Sequence, residues 1–271
     1  MEKNAHGVDG NSGIAAIRWS SSAEIAAVPA EQADEPALEL PYSSRLVAMF
    51  DERSVGAEKF RVLASRLQYF RKQRSLKRVL ITSTIKSEGK SLISANISVT
   101  LGRRYKTLLI DGDLRQPGLT NLLGSNGLRG LADWWREAED VTPFLRRVGT
   151  PKLWHLPAGQ AASQPLEIFQ SQRMAEMLNQ VGEMFEWVII DSPPLLLADP
   201  NLLAGLADGT LLVVKEGKTP QRELRRSLES IENLKLVGIV MNGSSDAAHR
   251  YYGQYYKGIP RNAVAAPASK A

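Results

Sequence analysis

Apolar residues recur along the chain in two alternating patterns, short continuous runs and longer stretches with helical spacing. Continuous runs are typical of strands buried on both faces, whereas an apolar residue every three or four positions predicts a helix with one buried side. Phe60, Leu63, Leu67 and Phe70 show the helical spacing clearly. The predicted strands are 78–83, 107–111, 152–156, 187–191, 209–215 and 236–241, and the predicted helices are 54–74, 91–103, 165–184, 200–206 and 220–233.

This alternation of strands and helices predicts an α/β fold, a three-layer sandwich with a mostly parallel sheet and helices on both faces. Residues 1–45 are rich in Ala, Ser, Gly, Glu and Pro without sustained periodicity, so we expect a flexible N-terminal arm. Residues 46–245 then form one domain. Residues 246–271 are Tyr-rich and then Ala/Pro-rich, which predicts a flexible C-terminal tail.

Composition excludes several classes of protein. The 271 residues include no cysteine, so a disulfide framework and a thiolate metal site are ruled out, which suits a reducing compartment. The net charge of +5 is too small to indicate nucleic-acid binding. No apolar run approaches the ~18 residues of a membrane span, and the polar start lacks the pattern of a signal peptide. We therefore expect a cytoplasmic protein, for which any link to a membrane would come through a partner.

The stretch TSTIKSEGKS, residues 82–91, ends like the phosphate-binding pattern G-x-x-x-x-G-K-[ST], although Thr84 replaces the first glycine. It lies between a predicted strand and a predicted helix, where backbone N–H groups would face a phosphate. Lys90 would reach the β and γ phosphates, and the Ser91 hydroxyl would bind Mg²⁺. Taken alone, the stretch could equally be a loop with a solvated lysine.

Three aspartates follow predicted strands. Asp111 and Asp113 come at the end of one strand, and Asp191 ends another. Ligands of open α/β sheets bind outside the carboxyl ends of the strands, and Mg²⁺ is often held by carboxylates together with substrate phosphates. Each aspartate alone could be a turn or a helix cap. The three carboxylates and the Gly-Lys-Ser loop together predict a nucleotide and magnesium site at one edge of the sheet.

The loop, LLIDGDLR (108–115) and VIIDSPP (188–194) resemble the Walker A, A′ and B boxes of the bacterial tyrosine kinases of capsule and exopolysaccharide synthesis. The ordered set of boxes is specific to this branch of P-loop proteins, whereas no single box is. The resemblance extends from Val55 to the tyrosine cluster near the C-terminus. Further matching stretches are LPAGQAASQPLEIFQSQRM (156–174), VVKEGKT (213–219), VGIVMNG (237–243) and RYYGQYYKG (250–258).

The resemblance implies an ATP- and Mg²⁺-dependent protein tyrosine autokinase that regulates exopolysaccharide or capsule polymerisation and export. It implies catalytic roles for Lys90, Asp111 and Asp113, with Asp113 as the candidate base. It further implies nucleotide binding by Glu88, Gly89, Lys90, Ser91, Leu92, Asp191 and Asn242, and metal binding by Ser91, Asp111 and Asp191.

Four of the seven tyrosines fall within six positions, Tyr251, Tyr252, Tyr255 and Tyr256. The stretch is polar and broken by glycine, which makes it a poor core segment, although it could dock a tail onto the domain. The resemblance implies that neighbouring subunits phosphorylate these tyrosines, so self-association is possible. It also implies a membrane-bound chain-length regulator as a separate activator, which would recruit this protein to the inner face of the membrane.

Two positions depart from the family pattern. Lys86-Ser87 stands where the family commonly has Pro-Gly, so serine would be strained if position 87 needs a positive φ, and ATP binding would weaken. In helix 54–74, Glu58 and Arg61 match a ring-forming Glu-x-x-Arg-x-x-Arg motif, but Ala64 replaces the second arginine. That replacement puts assembly into a ring in question.

Two other functions stay open on the sequence. A partitioning ATPase of the ParA/MinD type would carry its signature lysine at the position of Ile85, whereas Lys86 is one residue out of register. A degenerate P-loop protein would bind nucleotide weakly and act as an interaction partner. Measured ATP turnover would separate the degenerate protein from the two enzymes.

Overall fold

The computed structural model describes residues 37–43, 45–137, 140–150, 152–160, 164–231 and 235–244. The strands of this part are β1 Arg78–Ser83, β2 Thr107–Asp111, β3 Arg146–Arg147, β4 Leu153–Leu156, β5 Trp187–Asp191, β6 Gly209–Lys215 and β7 Leu236–Asn242. Its helices are α1 Val47–Phe50, α2 Val55–Gln73, α3 Lys90–Gly102, α4 Gly118–Leu122, α5 Leu131–Glu137, α6 Pro165–Gln170, α7 Gln172–Met184, α8 Asp199–Leu206 and α9 Gln221–Ile231, with a short 3-10 turn at Thr142–Phe144.

The strands described form one sheet in the order β3-β4-β2-β5-β1-β6-β7. Every neighbouring pair is parallel except β3–β4, which is antiparallel. The predicted α/β class with a mostly parallel sheet is therefore confirmed. β3 was not predicted, because a two-residue Arg-Arg strand at the edge of a sheet carries no apolar pattern.

Helices cover both faces of the sheet. Successive strand residues point to opposite faces, so Leu108 and Ile110 belong to one core and Leu109 to the other. The first core also contains side chains of α5 to α9, and the second contains side chains of α1 to α4. This arrangement is the three-layer sandwich that the sequence predicts. Over the described ranges, no helix is both long enough and apolar enough to cross a membrane.

Serine caps set where two of the helices begin. The Ser54 hydroxyl accepts a hydrogen bond from the Ala57 N–H at 3.1 Å at the start of α2. Ser171, with an extended ψ of 142°, caps α7 in the same way through the Met174 N–H. The single helix predicted over 165–184 is therefore wrong, because Ser171 divides it into α6 and α7.

Both ends of the chain lie largely outside the described residues. The four candidate acceptor tyrosines lie outside the described residues, and so do residues 1–36 of the predicted N-terminal arm. The last part of that arm is described and contacts the domain. The Leu38 N–H donates to the Arg147 carbonyl at 2.8 Å, which adds Leu38 beside the edge of the sheet.

Candidate functional site

The phosphate loop joins β1 to α3 and requires glycine where the helix begins. Gly89 has a φ of 99°, and a Cβ atom there would lie 2.2 Å from Asn242 Nδ2. No larger residue fits without displacing Asn242. Because α3 starts at the next residue, the loop leads directly into a helix N-terminus, where free N–H groups and the helix dipole favour an anion.

Ser87 adopts the left-handed conformation on which the predicted strain depends. Its φ is 67°, one of two positive values at non-glycine residues of the described chain. An L-residue with a Cβ atom loses about 1–2 kcal/mol in this region relative to its ordinary conformations. The loop therefore holds a conformation that serine tolerates poorly and glycine would adopt freely.

Glu88 and Asn242 hold the loop in shape. The buried Glu88 carboxylate accepts a hydrogen bond from the Ile85 N–H at 2.8 Å and another from the Thr219 hydroxyl. Asn242, at the end of β7, donates from Nδ2 to the Glu88 carbonyl at 2.7 Å. Leu92 packs its side chain against the second core, so its contact with a ligand would come from the backbone N–H.

Lys90 lies at the centre of a cluster of charged groups. Its Nζ is 2.9 Å from Asp113 Oδ2, 3.7 Å from Asp191 Oδ2 and 3.3 Å from the Ser91 hydroxyl. Burial disfavours the ammonium ion, but the charges of Asp191 and Asp113 outweigh burial and raise the pKa of Lys90. The loop lysine is thus a charged, largely buried side chain, and the alternative of a solvated lysine is excluded.

Asp111 is buried and fully engaged in hydrogen bonds. Its Oδ2 accepts from the Thr120 N–H at 2.7 Å and the Thr120 hydroxyl at 2.8 Å, while Oδ1 accepts from the Asp113 N–H at 3.1 Å. Burial and the nearby charge of Asp191 raise the pKa of Asp111 to about 7. The register of the parallel strands accounts for this proximity, because Asp111 of β2 is paired with Asp191 of β5.

One carboxylate oxygen of Asp191 is buried without a hydrogen bond in the described part of the chain. Its Oδ1 accepts from the Ser94 hydroxyl at 3.0 Å, whereas Oδ2 has no hydrogen-bond partner within the described residues although it is buried. Burial raises the pKa of Asp191, and the charge of Lys90 opposes that shift. A buried carboxylate oxygen without a donor is unfavourable, so a divalent cation bound beside it would stabilise the site.

The oxygen atoms present therefore fit Mg²⁺, an ion that prefers hydroxyl, carboxylate and phosphate ligands. Asp191 Oδ2 and the Ser91 hydroxyl, both near Lys90 Nζ, are the available groups. Asp111 already accepts three hydrogen bonds. Any Asp111 oxygen that bound the metal would therefore also accept a hydrogen bond from Thr120 or from the Asp113 N–H.

Asp113 is nearly buried and completes the cluster. Its Oδ2 pairs with Lys90, and its Oδ1 accepts from the Gln116 N–H at 3.1 Å, which fixes the turn that follows β2. The structure thus brings Lys90, Ser91 and the three aspartates together.

Sequence reasoning missed several supporting residues. Ser94 lies one helical turn after Lys90, so its spacing could have suggested it. Thr120 belongs to α4, a five-residue helix that no periodicity predicts. Thr219 contacts Glu88 from a loop 131 positions away, and only the folded sheet brings these two residues together.

The tyrosine-protein kinase YwqD of Bacillus subtilis (strain 168) is 30% identical to this chain over 214 residues, covering 78% of this chain and 90% of that protein. This chain belongs to the bacterial tyrosine kinases. The succinoglycan biosynthesis transport protein ExoP of Rhizobium meliloti (strain 1021) is 34% identical over 198 residues, which cover 66% of this chain and a quarter (25%) of ExoP. No family model matches the chain.

The crystal structure of the chimerical protein CapA2B2 has the same fold as this kinase. It superposes with a TM-score of 0.71 at 27% identity and covers 78% of this chain and 95% of that one. The kinase resemblance based on the three boxes is therefore confirmed by sequence and by fold.

Proposed function

We propose that this kinase transfers the γ-phosphoryl group of ATP to tyrosines of its own C-terminal segment, Tyr251, Tyr252, Tyr255 and Tyr256. The observation that carries the proposal is the position of Lys90, between Asp113 and Asp191 at the N-terminus of α3. A cation there offsets phosphate charge, and the neighbouring carboxylates provide for a metal and a base. Family membership supports the same activity.

The residues divide into two groups by role. The N–H groups from Gly89 to Leu92 and the Lys90 ammonium bind the phosphates, and Glu88 and Asn242 keep the loop in the required shape. Ser91 and Asp191, with Asp111 beside them, would hold Mg²⁺. When bound, Mg²⁺ neutralises the charge of the phosphate oxygens, a large part of catalysis in phosphoryl transfer.

Asp113 acts on the acceptor. A tyrosine hydroxyl has a pKa of about 10 and is protonated at neutral pH, so a carboxylate that takes its proton assists the attack. The phenolic oxygen forms a bond to the γ-phosphorus, the bond from that phosphorus to the bridging oxygen breaks, and the proton moves to Asp113. The products are phosphotyrosine and ADP.

The proposed biological setting is exopolysaccharide or capsule export. ExoP is a transport protein of succinoglycan biosynthesis, and a quarter (25%) of its length is similar to this chain. A membrane-bound regulator of polysaccharide chain length would activate the kinase and recruit it to the inner face of the membrane. Phosphorylation of the tail would then regulate polymerisation and export.

Two lysines of the same loop provide the test. Lys90→Met removes the ammonium from the cluster, whereas Lys86→Met changes an exposed side chain of the same type four residues earlier. After incubation with Mg·ATP, we expect phosphotyrosine in wild type and Lys86→Met, and none in Lys90→Met. Unchanged phosphotyrosine in Lys90→Met would contradict the assignment of the site.

The strain at Ser87 favours a second candidate, a nucleotide-dependent interaction partner without turnover. In that case wild type binds Mg·ATP, but forms neither ADP nor phosphotyrosine. A loss of ATPase activity in Lys86→Met, with no phosphotyrosine in any variant, would instead indicate an ATPase of the ParA/MinD type.

A further inference from the structure

An arginine next to the candidate base is held by a buried carboxylate. Arg115 follows Asp113 by two positions, and its Nε donates to Asp199 Oδ2 at 2.8 Å. The Arg115 side chain is 48% exposed, whereas that of Asp199 is 2% exposed. Among the residues described, Asp199 alone pairs with Arg115 by a hydrogen bond or a salt bridge. The two terminal nitrogens of the guanidinium are therefore available to a ligand.

Asp199 is itself fixed, because α8 begins there and packs against the loop after β2. A Cβ atom at Gly112 would lie 3.2 Å from Leu203 of α8, and the Gly112 N–H donates to the Asp191 carbonyl at 2.8 Å. The Arg115–Asp199 pair therefore connects the two loops that carry the site carboxylates, and it limits where the guanidinium can move.

The pair joins a buried carboxylate to a half-exposed guanidinium. Burial of the Asp199 charge costs free energy, and the partly screened contact with Arg115 offsets only part of that cost. Asp199 Oδ1 is buried without a hydrogen-bond partner in the described structure, which costs free energy. An arrangement that stabilises the fold poorly, next to reacting groups, suggests a role in the reaction.

Two exposed apolar side chains lie in the loop that leads into α8. Leu196 and Leu197 precede Asp199 by three and two positions, and each is 45% exposed. This loop therefore offers an apolar surface together with the carboxylate that holds Arg115. An aromatic ring with a phosphate group has the matching chemistry, since the ring contacts leucine and the phosphate contacts arginine.

We propose that Asp199 orients Arg115 so that its terminal nitrogens bind the phosphoryl group on the acceptor side of the site, beside Asp113. The proposal rests on the proposed kinase activity and adds the recognition of phosphotyrosine to it. A planar guanidinium binds two phosphate oxygens through parallel hydrogen bonds. Arg115 contacts the transferred group, and Asp199 is a positioning residue because it acts through Arg115.

The first test separates transfer from ATP binding. A peptide of residues 248–258 serves as acceptor for the full-length kinase, and kcat and the KM for ATP are measured. Arg115→Gln and Asp199→Asn should each lower kcat at least about tenfold, as expected for the loss of a charge-stabilising donor. The KM for ATP should stay unchanged, because Lys90 and the loop are untouched.

The second test needs no turnover. Without nucleotide, wild type should bind the phosphotyrosine form of the peptide about tenfold more tightly than the unphosphorylated form, and both variants should lose that preference. Asp208→Asn is the matched control. Asp208 pairs with Arg78, Nη2 to Oδ1 at 2.9 Å, at the start of β1 and away from the site. This variant should keep both the kcat and the preference.

Each outcome decides the proposal. If Arg115→Gln and Asp199→Asn both keep the kcat and the peptide preference of wild type, the role proposed for Arg115 is wrong. Equal losses in Asp208→Asn would overturn it too, since the effect would then be structural. If wild type transfers no phosphate at all, the proposed function fails, and the peptide preference alone decides whether Arg115 binds phosphotyrosine.

Discussion

Ser87 is the side chain whose replacement should improve the site. Its φ of 67° costs serine about 1 kcal/mol or more, so part of the population leaves the binding conformation of the loop. Ser87→Gly removes this cost, and 1 kcal/mol corresponds to roughly a fivefold change in affinity. We expect ATP to bind several-fold more tightly to Ser87→Gly in a calorimetric titration.

Lys235→Gly provides the control for this change. Lys235 is the other described non-glycine residue with a positive φ, at 51°, and it lies before β7 rather than in the loop. The control should leave ATP affinity unchanged. Equal or weaker ATP binding by Ser87→Gly would show that strain at position 87 does not limit binding.

His155 should make the fold sensitive to acid. Its Nδ1 donates to the Leu109 carbonyl at 3.0 Å, and its Nε2 accepts from the Ser125 hydroxyl at 3.1 Å. Burial lowers the pKa of His155 to about 4. Below its ordinary pKa of about 6.5 the unfolded chain binds a proton that the folded chain does not. Stability is therefore lost as the pH falls from about 6.5 to about 4.

The loss attributable to His155 amounts to about 3 kcal/mol of unfolding free energy across that range. Denaturant titrations of wild type and His155→Gln at a series of pH values measure it, because the difference between the two profiles cancels the other titrating groups. Parallel profiles between pH 6.5 and 4 would contradict a neutral, buried histidine.

The packing of α2 explains why Ala64 replaces the second arginine of the family motif. Ala64 is buried where α2 packs on the domain, whereas the adjacent Ser65 is exposed. An arginine at position 64 must displace packed neighbours, which typically costs about 1–3 kcal/mol. Ala64→Arg should lower the Tm by several degrees, while Ser65→Arg leaves it unchanged. A stable Ala64→Arg protein that forms larger assemblies would show that only the missing arginine prevents a ring.

Elements with a strong local pattern could be predicted, and elements without one could not. The predicted bounds of β1, β2, β5 and β6 agree with the structure, because a parallel strand buried on both faces shows a nearly continuous apolar run. α4 and β3 were missed since five and two residues are too few to show a period. The three aspartates could be predicted from the strand ends, whereas Asp199 depends on the packing of α8 and carries no local signal.

The C-terminal segment should control association of the kinase. Each phosphate adds about −1.5 to −2 charges, so four would add roughly −6 to −8, against a net charge of +5 for the chain. Like charges on neighbouring tails repel, which favours release of subunits. We expect size-exclusion chromatography to show a smaller assembly after incubation with Mg·ATP than before. An unchanged size at full phosphorylation would contradict release.

We expect this kinase to phosphorylate the C-terminal tyrosines of a neighbouring molecule from the site at Lys90. A mixture of two chains tests this transfer: Lys90→Met, which keeps its tyrosines, and a chain with wild-type Lys90 in which Tyr251, Tyr252, Tyr255 and Tyr256 are phenylalanine. After incubation with Mg·ATP, mass spectrometry locates phosphotyrosine on each chain. Phosphotyrosine should appear in the tail of the Lys90→Met chain, and its absence from that chain would contradict transfer between molecules.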